Sequence, residues 1–172
     1  MKRQVSGEEG HAASLRVLKA IDSLSSVAVA DLECHARKPP ADEMTLLVEL
    51  RAKGRCEDEV VLTRSEYVVT AVDDEADEAN DDNTVWTVSV SLVAQWLRRP
   101  GAEITRADVQ CFAMGQGALS CHPYAREVVQ SAASRMNYPP VTLDLIFNPW
   151  IDPDGTEIEI PDDADQVDLA AH

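Results

Sequence analysis

Apolar residues fall at every second position in some stretches of the chain and three or four apart in others, and this alternation of period predicts the elements. Leu15, Leu18, Ile21 and Leu24 recur at helical spacing and predict a short amphipathic helix, broken by Ser25 and Ser26. From Val27 to His35 the period becomes two. Ala28, Ala30, Leu32 and Cys34 then share one face, and Val27, Val29, Asp31, Glu33 and His35 the other, so that Asp31, Glu33 and His35 line one wet side of a strand. After the turn KPPAD, Met44, Leu46, Val48, Leu50 and Ala52 form an apolar face against Thr45, Glu49, Arg51 and Lys53, in a second strand ended by Gly54 and the charged EDE. A third strand, about 60–72, is rich in β-branched residues but alternates poorly around Arg64 and Glu66, which predicts a bulge or an edge position. The clearest pattern is TVWTVSVSLVAQWLRR. Trp86, Val88, Val90, Leu92 and Trp96 share one face and Thr87, Ser89, Ser91 and Gln95 the other, as in a half-buried antiparallel strand.

Helix follows the four strands. Thr105 and Asp108 are spaced as a capping box for a helix through Val109, Phe112 and Ala113, with Gly115 and Gly117 interrupting its continuation. Pro123 suits the first turn of a further helix carrying Tyr124, Val128, Ala132 and Arg135, which Pro139 and Pro140 end. The expected fold class is therefore α+β: a four-stranded antiparallel sheet with helices packed on one side.

Charge is unevenly placed. The net charge of −16 over 172 residues lies in two segments, residues 73–82 with seven acids and residues 151–172 with eight, neither containing Lys or Arg. The remaining 16 acidic residues face all 15 basic ones. A chain of this length forms one domain that removes about 70% of its unfolded surface from water. The expected organisation is a flexible segment 1–13, a domain 14–150 with an acidic hairpin loop 73–82, and an acidic flexible tail 151–172. Phosphate backbones are drawn by clustered Lys and Arg, so a nucleic-acid partner is not expected. No run of about 20 apolar residues is present, which argues against direct membrane insertion, and the start MKRQVSGEEG has no apolar run behind its bases. A cytoplasmic chain with Cys34, Cys56, Cys111 and Cys121 as reduced thiols is the expectation.

The stretch HPYAREVVQSAASRMNYPPVTLDLI resembles the signature of the SecB family of export chaperones, in which a helix carrying FPYARE runs into SRGGFPPL. Pro123, Tyr124, Ala125, Arg126, Glu127, Ser134, Arg135, Pro139 and Pro140 match letter for letter, with His122 and Tyr138 for Phe and Val141 for Leu. The family's KDxSFE strand corresponds to AVADLECHA, with Asp31 on the Asp and His35 on the Glu. Its aromatic-Leu-Cys-Glu-Val run corresponds to Trp86, Thr87, Val88, Ser89 and Val90. The resemblance spans about residues 24–147.

The resemblance implies a homotetramer built as a dimer of dimers, whose apolar grooves hold non-native protein clients without ATP or other cofactor. Met44, Leu46, Val48, Trp86, Val88, Val90, Leu92 and Trp96 are the expected client-binding or assembly face, since wide aromatic and aliphatic area anchors interfaces. Asp31, Glu33 and His35 are the expected partner-docking sheet face. In export-type members acidic positions there help dock the motor SecA; this chain keeps Asp31 but has His35, Thr87 and Ser89 at the others. The family's closing VNFDALY and C-terminal helix have no counterpart in FNPWIDP at 147–153. With the long acidic loop, this looks more like the SecB-like chaperones of toxin–antitoxin systems, which hold an unstable antitoxin. A dedicated module docking one defined partner segment is the alternative.

Other chemistry is set aside. Cys34–His35 and Cys121–His122 offer two sulfurs and two imidazoles, but adjacent ligands diverge in a strand and zinc sites favour spacings of two to five. DPDGTEIEIPDD places glycine fourth where a calcium loop needs it sixth. Arg126 and Glu127 are expected to form a helix-surface ion pair or a fold contact. No base is paired with a nucleophile, so no catalytic residue, metal or enzymatic role is expected.

Overall fold

The computed structural model describes residues 2–40, 43–73, 80, 82–151 and 158–161. Strand β1 (Lys2–Val5) leads into helix α1 (Gly7–Ala20), followed by β2 (Ile21–Ala36), β3 (Thr45–Cys56), β4 (Val60–Val72) and β5 (Thr84–Arg98). Helix α2 (Arg106–Phe112) runs through a π-helical turn, Ala113–Gly117, into α3 (Ala118–Arg135). A short 3-10 turn, Pro149–Ile151, precedes β6 (Ile158–Pro161). Strands β2, β5, β4 and β3 form one antiparallel sheet in that order, and β1 pairs antiparallel with β6. The α+β class with its four-stranded sheet is as the periodicity predicts.

The third predicted strand is neither an edge nor bulged at Arg64. It is β4, flanked by β5 and β3, and every second residue from Val61 to Ala71 is buried. Arg64 and Glu66 lie on the half-buried outer face, where they pair with each other at 3.1 Å and Arg64 donates to the Ser91 hydroxyl at 3.0 Å. The apparent loss of alternation arises because the inner face itself carries Thr63 and Ser65.

Strand β2 does contain an irregularity. Val29 sits opposite Leu92 and Asp31 opposite Ser91, leaving Ala30 as an extra residue. A one-residue bulge exchanges the two faces. Val27 and Val29 therefore share the helix-side face with Leu32 and Cys34, whereas Asp31, Glu33 and His35 lie opposite Ser91, Ser89 and Thr87 on the outer face.

The long helix crosses the inner face of the sheet. Its start is the predicted capping box: Asp108 N–H donates to the Thr105 hydroxyl at 3.1 Å and Thr105 N–H to the Asp108 carboxylate at 3.0 Å. Two close crossings follow. A Cβ on Gly54 would stand 2.7 Å from the Val109 carbonyl, and one on Gly117 would stand 3.1 Å from Thr63. Gln110 anchors the first crossing, accepting from Gly54 N–H at 3.1 Å and donating to the Ala52 carbonyl at 2.9 Å, which covers part of the outer edge of β3. Helix thus continues through Gly115 and Gly117, and Pro123 is an interior residue of α3, not its first turn. The proline removes one N–H from the ladder, and burial of Cys121, His122 and Ala125 around it offsets the loss.

The helix stops before the double proline. Asn137 is left-handed at φ 64°, Tyr138 N–H reaches the Ala133 carbonyl at 3.0 Å and Asn137 N–H reaches that of Ser134 at 3.1 Å. This paired arrangement ends helices generally, and the prolines then prevent a restart.

The main core joins Tyr67, Val69, Trp86, Val88, Val90, Leu92 and Trp96 of the sheet to Val109, Phe112, Ala125 and Val129 of the helix, with Tyr138 and Leu143 behind them. A second, small cluster holds Val5, Ala13, Cys111 and Trp150. It belongs to elements that correct two expectations. The start of the chain forms β1 and α1 where a flexible segment 1–13 was expected, because Ser6 caps α1 and small residues Gly10, Ala13 and Ser14 bury against its neighbours. Leu15 and Leu18 of the predicted apolar face are exposed, and Ser25 and Ser26 lie in β2. Within the expected tail 151–172, Ile158–Pro161 pairs with β1; residues 152–157 and 162–172 lie outside the described residues, as do 74–79 and 81 of the acidic loop.

Candidate functional site

Helix α2–α3 covers β4 and β5 but leaves the inner faces of the two outer strands partly bare. Just before and along β3, Met44, Leu46 and Leu50 are half-buried and Val48 is 45% exposed. On β2 the bulge turns Val29, 48% exposed, to the same side as Leu32, 44% exposed, and Leu24 is exposed further along that side. Two apolar ledges thus flank the helix. Beyond Tyr138 the chain runs as an irregular strap, residues 138–148, in which Leu143 is buried while Leu145 and Phe147 are 68% and 84% exposed. Residues 139–148 make no backbone–backbone hydrogen bond among the described residues.

The strap is held at both ends. The Tyr138 hydroxyl donates to the Lys38 carbonyl at 2.6 Å, and its ring lies 6.1 Å from that of Trp86. At the far end Trp150 fills a slot between α1 and the π-turn. Its indole N–H donates to the Cys111 carbonyl at 2.7 Å, and a Cβ on Gly10 or Gly115 would fall 2.1 or 2.7 Å from the ring.

Of the residues expected to bind clients or assemble, Trp86, Val88, Val90, Leu92 and Trp96 are buried, and the helix already occupies their face. An apolar face at strand spacing is first a core face, and here it is wholly so. Met44, Leu46 and Val48 remain at the surface ledge. Period-two reading missed Val29, which the bulge relocates, and Leu145 and Phe147, which have no period; their one signal was apolar character after a double proline. In the matched helix Ala125 is buried, while Pro123, Tyr124, Glu127, Arg135, Pro139 and Pro140 are exposed and Arg126 is half-buried. Neither Arg126 nor Glu127 forms an ion pair among the described residues, so of the ion pair or fold contact expected of them the ion pair is not seen.

On the outer face Asp31, Glu33 and His35 are exposed, with His35 Nε2 3.7 Å from the Glu33 carboxylate. Cys34 points to the opposite face from His35. Cys34 is exposed, and partial desolvation raises its thiol against the pull of Arg135, whereas Cys121 is buried and its burial raises the thiol against the influence of the neighbouring Ser65 side chain. Thiols raised in this way stay protonated at neutral pH and are poor nucleophiles. Burial alone would raise the Asp108 carboxyl, but hydrogen bonds from Arg16 and from Thr105 outweigh it and leave Asp108 below the usual carboxylate range. Arg16 makes that contact through Nε and Nη2 at 2.9 and 2.6 Å, tying α1 to α2. No helix among the described residues is long and apolar enough to cross a membrane.

No protein-family profile matches the chain, and no curated protein matches it in sequence. Among solved structures it is similar to the Mycobacterium tuberculosis Rv1957 SecB-like chaperone in complex with a ChAD peptide from the Rv1956 HigA1 antitoxin. The TM-score is 0.70 at 15% identity, over 80% of this chain and 99% of that one. The fold of this chain is therefore SecB-like, a four-stranded antiparallel sheet carrying its helices on one face.

Proposed function

We infer that this chain is an ATP-independent holding chaperone that binds non-native polypeptide segments and takes no cofactor. The observation that carries the reading is the set of large apolar side chains left in water around a closed core, Val29, Leu32, Val48, Leu145 and Phe147. Apolar side chains left exposed on ledges and a strap in this way mark a binding surface. The outer edges of β2 and β3 add unpaired backbone, so an extended client can pair main chain to main chain while its side chains meet the ledges, loosely and without a sequence code.

The 16-residue β2, exposed on both faces along nearly its whole length, is also the natural surface for a second copy, and a dimer of dimers is the assembly this reading carries. The protein works in the cytoplasm on this reading, and Asp31, Glu33 and His35 form the outer face open to a docking partner such as SecA. The antitoxin peptide bound to Rv1957 favours a second version, in which the client is one unstable antitoxin and the chain is a dedicated partner-binding module.

The deciding experiment is light scattering of the purified protein, followed by addition of a chemically unfolded client. A tetramer that keeps the client in solution supports general holding. Precipitation of the client alongside tight binding of one short antitoxin-type peptide supports the dedicated module, and failure of both sinks the reading.

A further inference from the structure

His122 is a buried titratable side chain that client holding does not use. It is 5% exposed, and its ring centroid lies 5.8 Å from that of Tyr67. Nε2 stands 2.8 Å from the carbonyl oxygen of Asp144, in the middle of the strap. A carbonyl only accepts, so Nε2 carries the proton, and the neutral ring leaves Nδ1 bare. Nδ1 is itself buried and has no hydrogen-bond partner among the described residues. The pocket therefore fits the neutral Nε2–H tautomer, and a proton added at Nδ1 would be a buried donor with nothing to accept it.

The neighbouring groups give no relief. From α3 come Arg126, a cation four residues along, and Cys121, whose thiol burial keeps protonated. From β4 comes Tyr67, whose hydroxyl burial keeps protonated and which donates to the Ala118 carbonyl at 3.3 Å. From the strap comes Asp144, which meets the ring through its carbonyl while the residue itself is exposed. Burial lowers the imidazole below its usual range, the Asp144 carbonyl opposes this, and Arg126 adds to it.

Between Tyr138 and Trp150, the Asp144 carbonyl hydrogen-bonds the strap backbone to the long helix, and Leu143 beside it is buried. We propose that the His122–Asp144 contact is an acid-sensitive latch: the neutral imidazole holds the strap across α3, and a second proton releases it and uncovers Leu143. The sign follows from linkage. The latched state binds the proton less readily than the released state, so the latch is intact above the ordinary imidazole range of about pH 6.5 and weakens as pH falls below it. The opening constant rises by up to about tenfold per pH unit until the lower, latched value is passed.

The proposal is read on the protein alone and stands or falls separately from client holding. The test is a pH titration by NMR with labelled histidine, leucine and phenylalanine. The ring signals of His122 and the side-chain signals of Leu143, Leu145 and Phe147 are expected to move with one midpoint, below the ordinary imidazole value. His122→Gln, which keeps a donor near the Nε2 position and does not titrate, should hold the strap signals still over the same range. Strap signals that stay fixed while His122 titrates overturn the latch, as does a variant that releases its strap at the wild-type pH. If the variant does not fold, the coincidence of midpoints in the wild type decides alone.

Discussion

Gly10→Ala separates helix propensity from tertiary packing, because the two predict opposite signs. Gly10 lies inside α1, where alanine is favoured over glycine by about 0.5–1 kcal/mol. Here, however, the added Cβ would fall 2.1 Å from Cε3, 2.4 Å from Cδ2 and 2.5 Å from Cζ3 of Trp150. The indole is held on its other side by the π-turn, where a Cβ on Gly115 would also collide at 2.7 Å, so the ring cannot simply slide away. Overpacking of this kind costs about 1–3 kcal/mol, and the net effect of Gly10→Ala is expected to be destabilising. Trp150→Ala empties the slot and is expected to cost about 3–5 kcal/mol, including the bond to the Cys111 carbonyl. With the ring gone, Gly10→Ala should recover its helical advantage and become stabilising. The double-mutant cycle in urea, read as midpoints at constant slope, should therefore give a coupling of about 1–3 kcal/mol, the overpacking cost itself. Additive effects, or a Gly10→Ala protein more stable than wild type, would refute the argument that Trp150 clamps α1 to the long helix.

Four further outcomes are expected. Val48→Asp, at an exposed position on the β3 ledge, should change stability by no more than about 0.5 kcal/mol yet lower client retention in an aggregation assay; unchanged retention removes that ledge from the site. Trp86→Asp puts an unpaired charge into the closed core and should abolish the cooperative melt, and a well-folded variant would show that the residue is not core. Thr105→Ala should cost about 1 kcal/mol through loss of the helix cap. Asp108, held below its usual range, contributes stability that is present above about pH 4 and lost as pH falls further, so Asp108→Asn should flatten the acid limb of the melting curve.

Sequence periodicity was sufficient for β3 and β5, for the Thr105–Asp108 cap and for the α+β class, because each depends on spacing within a few residues and on the chain's own geometry. The HPYARE helix and the double proline were legible for the same reason, and they pointed to the SecB-like fold that 15% identity elsewhere leaves obscure. Tertiary structure alone decided the rest. A single unpaired residue at Ala30 moved Val27 and Val29 to the other face, and no local pattern records which side a bulged strand turns. Arg64 and Glu66 looked like breaks in β4 until their partners on neighbouring strands were known. The same holds for the Trp150 slot, assembled from glycines 105 residues apart, and for His122, whose partner is a strap carbonyl 22 residues on. Local spacing determines which residues share a face; what covers that face depends on contacts between distant parts of the chain. That is why the apolar stripe of β5 became core, while the candidate binding surface lies on ledges and a strap.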